Sequence, residues 1–200
     1  MVLPLSKKVL LIAVRVMDKP YFTSFDVALI SVFCALWVVL NLTLGPLGFA
    51  WFGLPIFCDF SVFLTLLLVT WATGKFGAAS FVGVVGSIIV LLIRAVPSTI
   101  GLTASAILFD VLMSMNRHTI DAKARNITIS ALVTVVSAYF AGVVIGIFFT
   151  NRPLDLATLN WSLTFWGGWH LVGGLITVAI AMPIIGVLER TKIRKSKNAR

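Results

Sequence analysis

Six long runs of predominantly apolar residues dominate this chain of 200 residues. An α-helix rises about 1.5 Å per residue, so about 20 residues cross the ~30 Å hydrocarbon core of a bilayer. Unpaired backbone polar groups are costly in lipid, and a helix satisfies them within one segment. The sequence therefore predicts an all-α, polytopic membrane protein, a bundle of six transmembrane helices in one domain over residues 25–187. The predicted segments are 25–44, 54–73, 76–93, 98–115, 127–149 and 161–187.

The placement of charge supports this interpretation. Only 12% of the residues are charged, against about 25% in soluble domains. The net charge of +9 would suit nucleic acid, but the cations lie in the two tails and one loop, as juxtamembrane anchors do. With both termini in the cytoplasm, fourteen of the sixteen Lys and Arg residues lie inside, and only Arg94 and Arg152 lie outside. The positive-inside rule thus predicts a multi-pass protein of the cell membrane with this orientation and no nucleic-acid partner.

Both tails are basic. The apolar stretch 9–17 is too short to span a bilayer and is flanked by Lys7, Lys8 and Lys19. We interpret residues 1–24 as a cytoplasmic tail that carries a short interfacial amphipathic helix. A cleaved signal peptide is the alternative, but no small-x-small cleavage site follows the apolar run. Residues 188–200 are predicted to form a basic cytoplasmic C-tail.

Polar groups from five separate stretches share one depth near the predicted outer side. An intramembrane charge costs about 2.5–3.5 kcal/mol at a helix centre, so these groups call for an explanation. In one interpretation Asp59 and Arg94 form a structural ion pair within an interfacial aromatic belt. In the other, the groups surround a pocket open to the outside, in which they orient a ligand. The candidate substrate-binding residues are Asn41, Trp51, Asp59, Arg94, Trp166 and His170.

Two further polar residues leave alternatives open. His170 lies on a polar, partly small face of the sixth segment and either bonds to a neighbouring helix or contacts a ligand. Asp110 lies about 18 Å from the predicted outer side, at about 1.5 Å per residue, too deep to pair with Arg94. It is protonated, caps a neighbouring backbone, or serves as a proton site.

The sequence contains no sign of catalysis or of a bound metal. A nucleotide-binding P-loop and a GxSxG nucleophile elbow are both missing from the sequence. Cys34 and Cys58 fall in or beside apolar segments, which favours packing roles over a disulfide. No Cys/His cluster provides metal ligands. We therefore predict neither enzymatic activity nor a cofactor.

Small residues repeat along one face of the first segment, at Ala28, Ser31 and Ala35. Such a face permits close approach of another helix. Asn41 points about 120° away from Ala35, at 100° per residue. The first helix therefore has a flat face for a partner and a polar end for a ligand.

These features together resemble the substrate-binding S component of energy-coupling factor (ECF) vitamin transporters. The stretch "ALISVFCALWVVLNLTLGPLG" resembles the first helix of that family, where an Ala-xxx-Ala element docks on the transmembrane coupling subunit; Ser31 and Ala35 stand at that spacing. The stretches "GKFGAASFVGVVGSIIVLL" and "GLTASAILFDVLMSM" resemble its third and fourth helices, particularly in the hydroxymethylpyrimidine/thiamine-precursor permeases.

The resemblance implies capture of a vitamin or vitamin precursor from outside, followed by association with a coupling membrane subunit and two ATPases. Tryptophans around a single acid suit a flat heteroaromatic ligand, neutral or cationic. The alternative is a membrane scaffold or assembly subunit whose polar groups only hold helices together. A polytopic enzyme that acts on lipid is a third class, for which the sequence contains no catalytic set.

Overall fold

A computed structural model describes residues 20–190, and the predicted interfacial helix and residues 191–200 of the C-tail lie outside them. The described residues contain helices and no strand, so the all-α prediction is confirmed for them. The helices are α1 (Ser24–Phe52), α2 (Ile56–Thr73), α3 (Ala78–Arg94), α4 (Thr99–Ser114), α5 (Ala124–Phe148) and α6 (Leu156–Arg190).

Four of these helices, α1, α2, α5 and α6, are long and apolar enough to cross a membrane. The remaining two are apolar but shorter, with 17 residues in α3 and 16 in α4. The fold is thus consistent with a membrane protein, and the prediction of spanning helices is confirmed in length and composition for four segments out of six.

Helix α1 is longer than predicted. The predicted end at residue 44 is wrong, because the helix continues through Pro46 to Phe52 and Trp51 is helical. Its contacts with the start of α2 explain this: a Cβ on Gly45 would lie 3.3 Å from the Cys58 sulfur, and one on Gly48 would lie 3.2 Å from Phe57 Cβ. This close packing holds a segment whose local sequence favours a break.

Helix α2 is the centre of the bundle. Every residue from 61 to 71 is buried, and α2 packs mainly between α1 and α6. At its C-terminal end the Trp71 indole N–H donates to the Glu189 carboxylate of α6 over 2.6 Å. Because α2 lies at the centre of the bundle, side chains on different faces of its N-terminal end contact different neighbouring helices.

Ion pairs and caps identify which helix ends lie together. Thr23 and Asp26 form a capping box at the start of α1, and Asp26 also pairs with Lys75, just after α2, over 2.7 Å. The start of α1 and the ends of α2 and α6 therefore share one end of the bundle. This is the basic end, which among the described residues holds Lys75, Arg117, Lys123, Arg125 and Arg190.

The opposite end contains the ends of α1, α3 and α5 and the starts of α2, α4 and α6. Only Arg94 and Arg152 of the described cations lie there. We call it the cavity end, for the feature described next.

Candidate ligand-binding site

A cavity of about 440 Å³ opens at the cavity end between α1, α2, α3 and α4. Its volume falls within the range of about 300–1,000 Å³ of small-molecule sites. Most of the wall is apolar, with a few polar groups. The lining residues are Asn41, Gly45, Pro46, Phe49, Cys58, Val90, Arg94, Val96, Ser98, Thr99 and Leu102.

Asn41 is the buried polar group of this cavity. Its side chain belongs to α1 and is only 6% exposed. Its amide Nδ2 has no hydrogen-bond partner among the described residues. Leaving such a buried donor unpaired costs about 1–3 kcal/mol.

Arg94 supplies the positive charge of the cavity. It is the last residue of α3 and is exposed. It forms no ion pair with any residue between 20 and 190. The predicted pair with Asp59 is therefore wrong, because the structure gives Asp59 a different partner.

That partner is His170, on the far side of α2. The His170 Nδ1 and Asp59 Oδ1 atoms lie 2.7 Å apart, and both side chains are almost fully buried. The two helices meet closely here, since a Cβ on Gly173 would lie 2.5 Å from Asp59 Oδ2. Within the described part of the chain, Asp59 Oδ2 and His170 Nε2 have no further hydrogen-bond partner. Of the two alternatives for His170, the structure shows the bond to a neighbouring helix.

A change of helix type precedes His170. Residues Ser162–Trp166 form a π-helical turn inside α6, a feature that occurs frequently at functional sites. The Trp166 ring lies 5.9 Å from the His170 ring, between centroids. A Cβ on Gly142 of α5 would lie 2.5 Å from the Trp166 carbonyl oxygen, so α5 fits tightly against the altered turn.

The six predicted site residues thus fall into three places. Asn41 and Arg94 line the cavity. Asp59, Trp166 and His170 form a polar cluster between α2 and α6. Trp51, at 66% exposure, belongs to neither group and stacks edge-on with Phe52 at the end of α1.

The list of candidate substrate-binding residues left out Cys58, Ser98 and Thr99, which also line the cavity. Cys58 was interpreted as a packing residue, and Cys34 and Cys58 are both free. The signal available in the sequence was that Gly45, late in α1, and Cys58, early in α2, are both small residues, which allows the two helices to approach closely. Ser98 and Thr99 lie four and five residues after Arg94 in the sequence, and this short separation from the charge indicates the same end of the bundle.

Asp110 lies at the basic end, far along α4 from the cavity. Its Oδ2 accepts hydrogen bonds from the backbone N–H groups of Gly77 and Ser80, both over 2.9 Å, and from the Ser80 hydroxyl over 2.7 Å. Its Oδ1 lies 2.9 Å from His118 Nε2. Of the alternatives for Asp110, this is the geometry of a cap on the start of α3.

Among the described residues, no group of three or more His, Cys, Asp or Glu side chains is arranged to hold a metal ion. No family model matches the chain, and comparisons with curated proteins and with solved structures also gave no match.

Proposed function

We propose that this chain is the substrate-binding membrane subunit of an ECF-type importer, which captures a small vitamin or vitamin precursor from outside the cell. One observation carries the proposal: a cavity of about 440 Å³ opens at one end of the bundle and is lined by a buried amide without a partner in the described chain. A site of this size and polarity suits a small molecule.

The cavity end faces outward in this proposal, and all six helices cross the membrane. The distribution of cations supports it, since five of the seven described Lys and Arg residues lie at the basic end. Helices α3 and α4 would extend about 24–26 Å at 1.5 Å per residue. Local thinning of the bilayer accommodates such lengths at a modest cost.

A surface for the coupling subunit is available on α1. Ala28, Ser31 and Ala35 are all exposed in the isolated chain. Small side chains allow another helix to approach closely, which is the main source of helix association in lipid. In the proposal this face contacts the coupling subunit, and two ATPases join through that subunit.

The test is purification of the tagged chain from gently solubilised native membranes, followed by mass spectrometry. We expect one coupling membrane protein and two ATPases to be recovered with it. Ala35→Leu adds bulk to the proposed docking face and should reduce this recovery at least about tenfold, which corresponds to about 1.4 kcal/mol. Ala179→Leu, at an exposed position of α6, is the matched control and should leave it unchanged.

Two results would contradict the proposal. Recovery of no ATPase with the unsubstituted chain would favour the alternative of a scaffold or assembly subunit. Equal recovery with Ala35→Leu and Ala179→Leu would remove α1 as the docking surface.

A further inference from the structure

The charge of the cavity wall is one-sided. Arg94 is the one charged residue that lines it, and the other polar lining residues are neutral. The guanidinium has no ionic partner among the described residues. A cation held at the mouth of a low-dielectric cleft attracts anions and raises their local concentration.

The second polar feature is an amide. Asn41 lines the cavity, its buried amide N–H group is unpartnered in the described part of the chain, and the amide as a whole offers both a donor and an acceptor. The remaining wall is largely apolar, including Phe49, Val90 and Leu102. The cavity thus combines a cation at an exposed position, an amide at a buried position, and apolar surface between them.

We infer that the cavity selects a small organic anion: an apolar body that carries a carboxylate or similar negatively charged group. Arg94 binds the anionic group at the mouth, and the Asn41 amide pairs with a polar group on the inner part of the ligand. Guanidinium groups match carboxylates in geometry and can bind them through two hydrogen bonds. This inference rests on the proposed function for its biological setting, and it replaces the neutral or cationic ligand suggested by the sequence.

The acidic residue nearest in sequence to the cavity wall is Asp59, which follows Cys58. It does not line the cavity, and its carboxylate is bonded to His170 of α6. Asp59 is buried against α6, whereas Arg94 is exposed and lines the cavity. The guanidinium is therefore the charged group that a ligand in the cavity can contact directly.

A single reporter cysteine in the wall can measure this charge preference before any ligand is known. Ser98 lines the cavity and makes no capping hydrogen bond with its side chain, so Ser98→Cys removes no such bond. Cys34→Ala and Cys58→Ser leave this reporter as the single thiol. The full chain in lipid nanodiscs is treated separately with an anionic reagent, sulfonatoethyl methanethiosulfonate, and a cationic one, trimethylammonioethyl methanethiosulfonate.

The measured quantity is the ratio of the two rates, anionic over cationic, divided by the same ratio for free 2-mercaptoethanol. The same thiolate attacks both reagents, so its protonation cancels from the ratio. A unit charge about 7 Å away in water changes such a ratio about five- to tenfold. We expect a ratio at least about fivefold above the free thiol, retained in Arg94→Lys and reduced to within about twofold of the free thiol in Arg94→Gln.

A ratio at or below that of the free thiol overturns the inference, as does a preference that persists in Arg94→Gln. Failure of both reagents to react overturns it too, because the cavity would then be closed to water. If Arg94→Gln does not fold, the rate ratio in the chain that keeps Arg94 decides whether the inference holds, by the same comparison with the free thiol. The experiment needs no coupling subunit, so its failure is distinct from failure to recover the ATPases.

Discussion

At the scale of single residues, the Asp59–His170 pair links two almost fully buried polar groups near the cavity end. Removing two ionisable groups from water is costly, and a direct bond between them offsets only part of that cost. The pair joins α2 to α6, next to the point where Gly173 allows their close approach. We therefore assign it the role of fixing α2, and with it the Cys58 side of the cavity wall.

The pair can be tested by a double-mutant cycle. Asp59→Ala leaves the His170 ring buried without its partner and should lower the free energy of unfolding by about 3 kcal/mol. The double variant Asp59→Ala with His170→Leu should lose about 1–3 kcal/mol less of the free energy of unfolding than the sum of the losses in the two single variants. Unfolding in mixed micelles with increasing SDS measures these differences.

Arg94→Gln is the control for this cycle. Arg94 is exposed and has no ionic partner in the described chain, so Arg94→Gln should change the free energy of unfolding only slightly. This change should add to that of Asp59→Ala within about 0.5 kcal/mol. Strong coupling between Asp59→Ala and Arg94→Gln, with none between Asp59→Ala and His170→Leu, would restore the pair predicted from sequence.

The sequence predicted how far along its helix each of these residues lies, but not which neighbouring helix its side chain faces. Position along a helix follows directly from residue count, which is why Asn41 and Arg94 were correctly expected near each other. Cys58 and Asp59 are adjacent in sequence but 100° apart around α2. Which neighbour each one faces depends on how the bundle packs, and this decides that Asp59 meets His170 rather than Arg94.

At the scale of helices, the sequence again predicted position along the chain but not the packing between helices. Apolar length predicted where the helices lie along the chain and most of their ends. The end of α1 was misplaced because Gly45 and Pro46 favour a local break, whereas packing on α2 maintains the helix. The π-helical turn in α6 has no signature in the apolar pattern, since it arises where α5 and α6 come together at Gly142 and Gly146.

The contact at this turn gives a prediction with a matched control. Gly142→Ala places a methyl group 2.5 Å from the Trp166 carbonyl oxygen and 2.8 Å from His170 Cβ. We expect a loss of about 1–3 kcal/mol in the free energy of unfolding. Gly168→Ala meets nothing within 4 Å and should be neutral or slightly stabilising, because Ala favours the helix. Equal effects of the two changes, measured by SDS titration, would contradict this packing.

The cap on α3 gives a second prediction at this scale. Asp110→Asn keeps the shape but removes the charge that strengthens three hydrogen bonds from Gly77 and Ser80. The free energy of unfolding should fall by about 1–2 kcal/mol. The reactivity of Ser98→Cys, at the opposite end, should not change. Normal stability of Asp110→Asn would argue against the cap and in favour of the proton site.

At the scale of the whole molecule, the two ends of the bundle differ in chemistry. The basic end is held by charged and polar bonds between helix ends, including Asp26–Lys75, Trp71–Glu189 and the cap at Asp110. The cavity end has fewer cations and contains the opening. This asymmetry follows the charge pattern of the sequence. The sequence indicated a pocket at this end but could not identify the helices that form its walls, because these depend on where four helix ends separate.

The orientation of the molecule is the last prediction. The positive-inside rule places the basic end in the cytoplasm, so the cavity should open to the outside. Ser98→Cys and, separately, Ser196→Cys in the C-tail, each in the Cys34→Ala and Cys58→Ser background, provide single reporters for the two sides. An impermeant maleimide added to intact cells should label Ser98→Cys and not Ser196→Cys, and permeabilised cells should show labelling of both. Labelling of Ser196→Cys in intact cells would invert the topology, and the cavity would then face the cytoplasm, which is incompatible with capture from outside.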